Sequence, residues 1–219
     1  MYLFVATLGY SRRLHVQPFR NERQESWFAG LEGAFRHFSG VTEEVLFDNP
    51  RALVVEHDAA TRTVVFNEKL LAFAKHWGFR PRACAPYRAR TKGKTENGVG
   101  YVKKNAIAGR SFASWEAFEA HLEAWTRDVA ELRNHGTTGE TPIARFARAE
   151  AQALKPCCAR AVSGHVAALP SAAINSRRSM LTGMCPSLCE GCLVRGTIPR
   201  RKQAVFTFAR AEMRGCRPH

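Results

Sequence analysis

The sequence is poor in acidic residues, in cysteine over most of its length, and in long apolar runs. It has 33 Lys and Arg residues against 19 Asp and Glu residues, and its formal net charge is +14. No run approaches the roughly 18 apolar residues of a membrane span, and the N-terminus lacks the pattern of a signal peptide. We therefore expect a cytoplasmic protein without a membrane partner, and the excess of positive charge favours a polyanionic partner such as nucleic acid.

Cysteine and charge are unevenly distributed along the chain. Cys84 is the only cysteine before residue 156, and the other six follow it. Residues 1–156 carry 23 basic and 17 acidic side chains, whereas residues 157–219 carry 10 and 2. This change of composition predicts two parts: a folded part over residues 1–154, and a Cys- and Arg-rich tail over residues 155–219 that we expect to be unstructured.

Residues 1–154 alternate between patterns typical of strands and of helices. A β-hairpin is predicted first, and a short strand before Asp48 is expected to lead into a helix with Pro50 in its first turn. A helix from Ser114 is predicted to bury one face that includes Val129 and Leu132. The alternation favours an α/β fold. The main predicted elements are a hairpin over 2–19, helices over 22–38, 68–78, 114–132 and 141–154, and strands over 45–47 and 61–67.

One acidic residue, Glu96, lies within a strongly basic stretch. Between Arg80 and Arg110 there are nine Lys or Arg residues and no other acid. Asp48 ends a predicted strand, and carboxylates brought together from separate elements are ligands that Mg²⁺ prefers. Two metal ions about 3.5 to 4 Å apart can activate a nucleophile and stabilise the leaving oxygen of a phosphodiester. The alternative to a metal site is that each acid has only a local structural role, because Asp48 can cap a helix and Glu96 can complement a helix dipole.

Basic side chains around Glu96 are candidates for gripping a DNA backbone. Phosphate contacts position nucleic acid, and cations placed there would not compete for a metal. The alternative is that they only solvate one face. The candidates are Arg88, Arg90, Lys92, Lys94, Lys103 and Lys104.

Four segments together resemble the IstA-type insertion-sequence transposases, which have an integrase catalytic core of the ribonuclease-H-like fold. The strings are LFVATLGYSRRLHV, LFDNPRALV, PYRARTKGKTENGVGYVKKN and NHGTTGETPIARF, and they occur in the family's order. The resemblance covers roughly residues 1–154. It implies DNA cutting and joining by metal-dependent phosphoryl transfer, with Mg²⁺ or Mn²⁺ as the cofactor. It also implies partners: transposon ends, target DNA, further copies of the protein and a helper ATPase of the IstB type.

By this resemblance, Asp48 and Glu96 match the second and third members of the family's Asp-Asp-Glu catalytic triad and would be metal ligands. The first member lies on a strand that precedes the hairpin in the family, and no residue before Tyr2 can supply it. That strand lies in the interior of the sheet, beside the strand that carries the second Asp. We therefore expect an integrase core lacking its first strand, with a gap in its sheet, that is unable to perform strand transfer.

The resemblance stops near Pro156, which suggests a frameshift there and no evolved role for the tail. The spacing of CPSLCEGC, residues 185–192, matches an iron–sulfur motif. The chemistry of that motif requires a barrel domain after it, and only 27 residues follow Cys192, so we expect no metal role for the tail. Three functions stay open for the chain. The first is an inactive fragment of a transposase, the second a non-catalytic remnant that binds DNA or other subunits, and the third a ribonuclease-H-like nuclease with other substrates.

Overall fold

The computed structural model describes residues 1–48, 50–58, 63–84, 98–156 and 203–211. The chain begins with an antiparallel hairpin of β1 (Tyr2–Leu8) and β2 (Leu14–Phe19). β1 is apolar on both faces and is buried along nearly its whole length, whereas β2 alternates between buried and half-buried residues. The alternation places β2 at a position with one covered face, and the predicted hairpin is confirmed.

Helix α1 (Gln24–His37) covers one face of the hairpin. Its buried residues, including Trp27, Leu31 and Phe35, recur at helical spacing. Gly30 lets the helix approach β1 closely, since a Cβ atom there would lie 2.6 Å from the ring of Phe4. The chain then enters β3 (Glu44–Phe47), a short strand whose Val45 and Phe47 are fully buried.

The segment after Asp48 differs from the prediction. Instead of a helix beginning at Pro50, there is a single turn in which the amides of Leu53 and Val54 both donate to the carbonyl oxygen of Pro50. The chain continues into β4 (Val54–Asp58), which pairs with β5 (Thr63–Phe66) in a separate two-stranded sheet. Pro50 favours a first helical turn, but the following Val54-Val55 favours a strand, and pairing with β5 decides the outcome.

Helix α2 (Glu68–Trp77) follows, as predicted, and strand β6 (Arg80–Ala83) comes after it. The side chain of Asn67 caps the helix by accepting from the amide of Leu70. Gly78 ends it in the left-handed conformation, with φ of 74°, where a residue with a Cβ atom is strained. β6 then pairs in parallel with β3.

Three more helical segments follow in the described residues; the first two cover the second face of the sheet, whereas the third contributes Phe146 to the core on the α1 side. Residues 98–102 form α3, which continues as a π-helical turn at Lys103–Ile107. Helix α4 (Trp115–Trp125), capped by Ser114, continues as a second π-helical turn at Thr126–Ala130. Helix α5 (Pro142–Arg145) continues through Phe146–Glu150 and Ala151–Ala153.

The predicted burial of Val129 and Leu132 is wrong. They are 45% and 58% exposed, whereas Ala130 and Glu131 are buried. The π-helical turn at Thr126–Ala130 accommodates one extra residue per turn, so the buried face shifts by one position beyond Trp125. A uniform helical period therefore fails at this point.

A strand from the tail completes the main sheet. β7 (Gln203–Arg210) lies between β1 and β3, antiparallel to β1 and parallel to β3. The sheet order is β2-β1-β7-β3-β6. Two expectations are therefore wrong: the sheet has no gap between β1 and β3, and the tail is not unstructured over residues 203–210. The rest of the tail from residue 157, including CPSLCEGC, lies outside the described residues, and the boundary at 154 stays a prediction.

Two apolar cores flank this sheet. One lies between the sheet and helices α1 and α2 and contains Phe4, Phe35, Phe47 and Phe206. The other lies under α3 and α4 and contains Leu3, Val5, Val102 and Phe118. Because β1 contributes alternate residues to each core, both faces of the central strands are covered. The result is an α/β fold of the predicted class.

Candidate functional site

Asp48 lies at the carboxyl end of β3, where the chain leaves the sheet. Its neighbour Phe47 is fully buried, and Asp48 itself is half-buried. β6 runs parallel to β3, and the amide of Cys84 donates to the carbonyl oxygen of Phe47 at 2.9 Å. Asp48 therefore directly follows an internal strand of the sheet, as the sequence predicts, at an edge where ligands commonly bind in α/β folds.

Glu96 lies outside the described residues, so its position relative to Asp48 stays a prediction. The helix that follows it is described from Gly98. A Cβ atom on Gly98 would lie 3.1 Å from Oγ1 of Thr7 and 3.8 Å from Cγ1 of Val5, both on β1. Gly98 is therefore small because α3 packs tightly against the sheet, whereas nothing lies within 4 Å of the corresponding position on Gly100.

Thr207 of β7 is a residue at this edge that the sequence analysis missed. Phe206 pairs with Phe47 in the parallel register, so Thr207 stands one residue further on, level with Asp48. Thr207 is 6% exposed. The run AVFTFA, residues 204–209, is apolar except for Thr207 and is rich in strand-forming residues, which was the available signal. It was overlooked because the surrounding tail has no periodicity.

The predicted DNA-binding residues are only partly within the described structure. Lys103 and Lys104 begin the π-helical turn after α3, and Lys104 is exposed. Arg88, Arg90, Lys92 and Lys94 lie outside the described residues. Whether these six side chains contact DNA stays a prediction.

Two other cations of the basic stretch are engaged in ion pairs within the sheet. Arg80 lies 2.7 Å from a carboxylate oxygen of Glu43, and Arg82 lies 2.9 Å from one of Glu44. Glu44 is buried, and its other oxygen accepts from the side-chain amide of Gln203 at 3.2 Å. These arginines therefore stabilise the junction of β3, β6 and β7, and their charges are partly neutralised.

The described residues do not complete a metal-binding set. Among them, no three His, Cys, Asp or Glu side chains are grouped as ligands for a metal ion. At the edge next to Asp48, β7 presents the neutral hydroxyl of Thr207, which donates to the carbonyl oxygen of Phe208 at 3.3 Å. The part of the chain that is described thus places one carboxylate, Asp48, at this edge.

Comparison with known proteins finds one matching domain family and several similar sequences. Residues 1–89 match the integrase core domain. The chain is 44% identical over 144 residues to the transposase for insertion sequence element IS21 of Pseudomonas aeruginosa, covering 65% of this chain and 36% of the relative. It is 42% identical over 142 residues to the transposase for IS640 of Shigella sonnei, covering 64% and 44%.

A further relative and a solved structure are also similar to the chain. A putative transposase for IS5376 of Geobacillus stearothermophilus is 38% identical over 155 residues, covering 70% of this chain and 37% of the relative. The catalytic core domain of BIV integrase is similar at 16% identity with a TM-score of 0.49, covering 68% of this chain and 88% of that one. The chain thus spans less than half the length of these transposases.

Within the described ranges, no helix combines the length and apolar character needed to cross a lipid bilayer.

Proposed function

Because residues 1–89 carry an integrase core domain and the chain is homologous to transposases of the IS21 type, we propose that it acts on DNA as the core of a transposition protein. The observation that carries this proposal is the placement of Asp48 at the carboxyl end of an internal strand within the matched range. The exposed Lys104 on the helix that packs over the same face supports DNA contact.

The activity of the whole protein is part of this proposal, because the chain spans 36% to 44% of the relatives named above. We propose that the intact protein cuts and joins DNA at transposon ends by phosphoryl transfer. It would act in the cytoplasm as an oligomer, together with a helper ATPase of the IstB type. Arg88, Arg90, Lys92, Lys94, Lys103 and Lys104 would hold the phosphate backbone.

Integrase-type cores depend on a divalent metal, and we propose Mg²⁺ or Mn²⁺ here. Such an ion would supply Lewis-acid stabilisation and an activated nucleophile. Asp48 suits this role as a hard oxygen ligand, and Glu96 is the second proposed ligand. The described residues offer no further carboxylate next to Asp48, so this set does not fit a complete site.

For the chain itself we propose DNA binding without strand transfer. The test uses the purified 219-residue chain, a supercoiled plasmid with paired transposon ends, and added Mg²⁺ or Mn²⁺. We expect DNA binding by gel shift but no joined product, with Asp48→Asn and Glu96→Gln behaving like the unaltered chain. Robust metal-dependent joining that Asp48→Asn abolishes would contradict the proposed inactivity.

The same assay separates the alternative functions. Metal-dependent nicking that depends on transposon ends indicates a transposase, and nicking without such dependence indicates a nuclease of the same fold. DNA binding with no nicking indicates a non-catalytic remnant. If the folded chain neither binds nor cuts DNA at low salt, the proposal of a DNA-directed function is wrong.

A further inference from the structure

Strand β7 brings a tail residue to the edge of the sheet where Asp48 lies. β7 pairs with β1 from Tyr2 to Leu8 and with β3 from Glu44 to Phe47, so it is hydrogen-bonded on both sides. Phe206 is level with Phe47, and Thr207 follows it as Asp48 follows Phe47. In a parallel pair, residues at the same level lie side by side on adjacent strands, about 5 Å apart.

The side chain of Thr207 lies on the face covered by α3. Phe206 points into the other core, where its ring centroid is 5.7 Å from that of Phe4 and 6.4 Å from that of Phe47. Successive side chains in a strand point to opposite faces, so Thr207 shares a face with Val5, its direct partner on β1. Val5 packs in the core that contains Val102 of α3.

The same alternation, continued one residue past the end of β3, assigns Asp48 to this face. Val45 and Phe47 of β3 are members of the core under α1, so the even-numbered positions of β3 face the other way. Gly98, the first described residue of α3, packs over Val5 and Thr7 on this face. Thr7 of β1 and Thr207 of β7 therefore lie on the face covered by α3, and Asp48 directly follows the next strand, β3.

We infer that Thr207 is the residue that keeps this site short of a carboxylate: β7 supplies the side chain next to Asp48, and that side chain is a neutral hydroxyl. This inference rests on the proposed function, because it assigns a role within the same site. A hydroxyl brings no negative charge to a divalent cation, whereas adjacent carboxylates are the ligands that hard cations prefer. The unaltered chain thus binds a divalent cation weakly, and a carboxylate at position 207 strengthens binding through Asp48.

A cation titration of the full 219-residue chain tests the role of Thr207. We expect Thr207→Asp to bind Mn²⁺, followed by its electron paramagnetic resonance signal, at least about tenfold more tightly than the unaltered chain, since each added carboxylate ligand raises affinity. Thr207→Asn, of the same size but neutral, serves as the matched control and gains nothing. Adding Asp48→Asn to Thr207→Asp removes the gain.

Two results would overturn the inference. One is a folded Thr207→Asp variant whose Mn²⁺ affinity equals that of the unaltered chain. The other is a gain in affinity that persists when Asp48 is replaced by Asn, which would mean that the new carboxylate binds the ion without Asp48.

A second experiment tests the geometry without burying a charge, in case Thr207→Asp does not fold. In a background in which all seven native cysteines are replaced by Ala, Asp48→Cys with Thr207→Cys should form a disulfide on mild oxidation, because neighbouring positions on paired strands are within disulfide reach. Peptide mass spectrometry identifies the bridge. In the control pair, Asp48→Cys with Val205→Cys, Val205 lies two residues before the position next to Asp48, so this pair should not cross-link. If the control cross-links as readily as the test pair, the assignment of Thr207 is wrong.

The outcomes separate this inference from the proposed function. Cross-linking and Asp48-dependent Mn²⁺ binding with no action on DNA by any variant would leave the role of Thr207 standing and reject the function. DNA binding without cross-linking would reject the role of Thr207 and leave the proposed function standing.

Discussion

Glu131 links three parts of the molecule through one buried carboxylate. One oxygen lies 2.5 Å from Nε of Arg13 and 2.7 Å from Nε2 of His37. Burial raises the pKa of Glu131, but the hydrogen bonds from His37 and Arg13, together with their charges, outweigh this effect and lower the pKa. Glu131 therefore stays ionised and joins the end of α4 to the hairpin and to α1.

A second buried carboxylate attaches the last helical segment to the hairpin. Glu150 accepts from the amides of Tyr10 at 3.1 Å and Ser11 at 3.0 Å, in the turn between β1 and β2. Burial raises the pKa of Glu150, against the opposing effect of these hydrogen bonds. The two acids are 19 positions apart, and each is paired with a residue more than 90 positions away in the sequence.

The buried side chain of His15 should make the folded protein less stable in mild acid. Its Nε2 atom is buried, and its ring centroid is 5.2 Å from that of His37. Burial, and then the charge of His37, lower the pKa of His15 to about 3 from 6.5. Because the folded pKa is depressed, stability is complete above pH 6.5 and is lost as the pH falls toward 3.

We expect the free energy of unfolding to fall by about 1 to 2 kcal/mol between pH 7.5 and pH 5 through His15 alone. Urea titrations at the two pH values measure this difference. The variant His15→Gln should lack this share of the pH dependence, whereas the exposed His76→Gln should retain it. An identical pH dependence in all three proteins would show that His15 titrates normally in the folded chain.

At the scale of elements, β7 determines whether the sheet is continuous. β1 and β3 are both internal strands only because β7 lies between them, and without it each would expose unpaired backbone groups along an edge. Phe206 is fully buried and contacts the rings of Phe4, Phe35 and Phe47. A tail segment thus contributes to the core that holds β3, the strand that ends at Asp48.

The variant Phe206→Ala tests this contribution. We expect it to lower the free energy of unfolding by about 3 to 5 kcal/mol, because it removes a buried aromatic side chain and leaves a cavity. Urea denaturation at pH 7.5 measures the change. The control Arg210→Ala, an exposed position at the end of the same strand, should change stability by less than about 0.5 kcal/mol. Equal stability of both variants would mean that β7 does not pack as described.

At the scale of the whole molecule, positive charge is abundant but not equally available. Arg80 is ion-paired with Glu43, whereas Lys104 lies exposed after α3. A cation that is already paired releases fewer counterions on meeting a phosphate. The position of a charge in the fold therefore matters more for DNA binding than its position in the basic stretch.

Salt dependence of DNA binding tests this distinction. If five of the six proposed side chains neutralise phosphates, log K should fall with log salt at a slope of roughly −4.5. We expect Lys104→Ala to reduce the magnitude of the slope by roughly 1, while Arg80→Ala leaves it nearly unchanged. Fluorescence anisotropy over a salt series measures both. Equal reductions would show that binding responds to total charge, and a slope near zero would contradict phosphate contact.

Local patterns predicted much of the fold. The run in β1, the helical spacing of Trp27, Leu31 and Phe35, and the cap at Ser114 all lie where the sequence indicates. These features depend on neighbouring residues alone, so period and capping suffice. The position of Asp48 at a strand end was predictable for the same reason, and the resemblance to transposases was carried by contiguous strings.

Tertiary structure decided the remainder. Val129 and Leu132 became exposed because a π-helical turn shifted the buried face, and the segment after Pro50 became a turn and a strand because β5 was there to pair with it. β7 entered the interior of the sheet because backbone donors and acceptors of β1 and β3 require partners, whatever the partner's place in the chain. Sequence by itself determined which carboxylate ends β3. Only long-range strand pairing decided that Thr207 stands next to it.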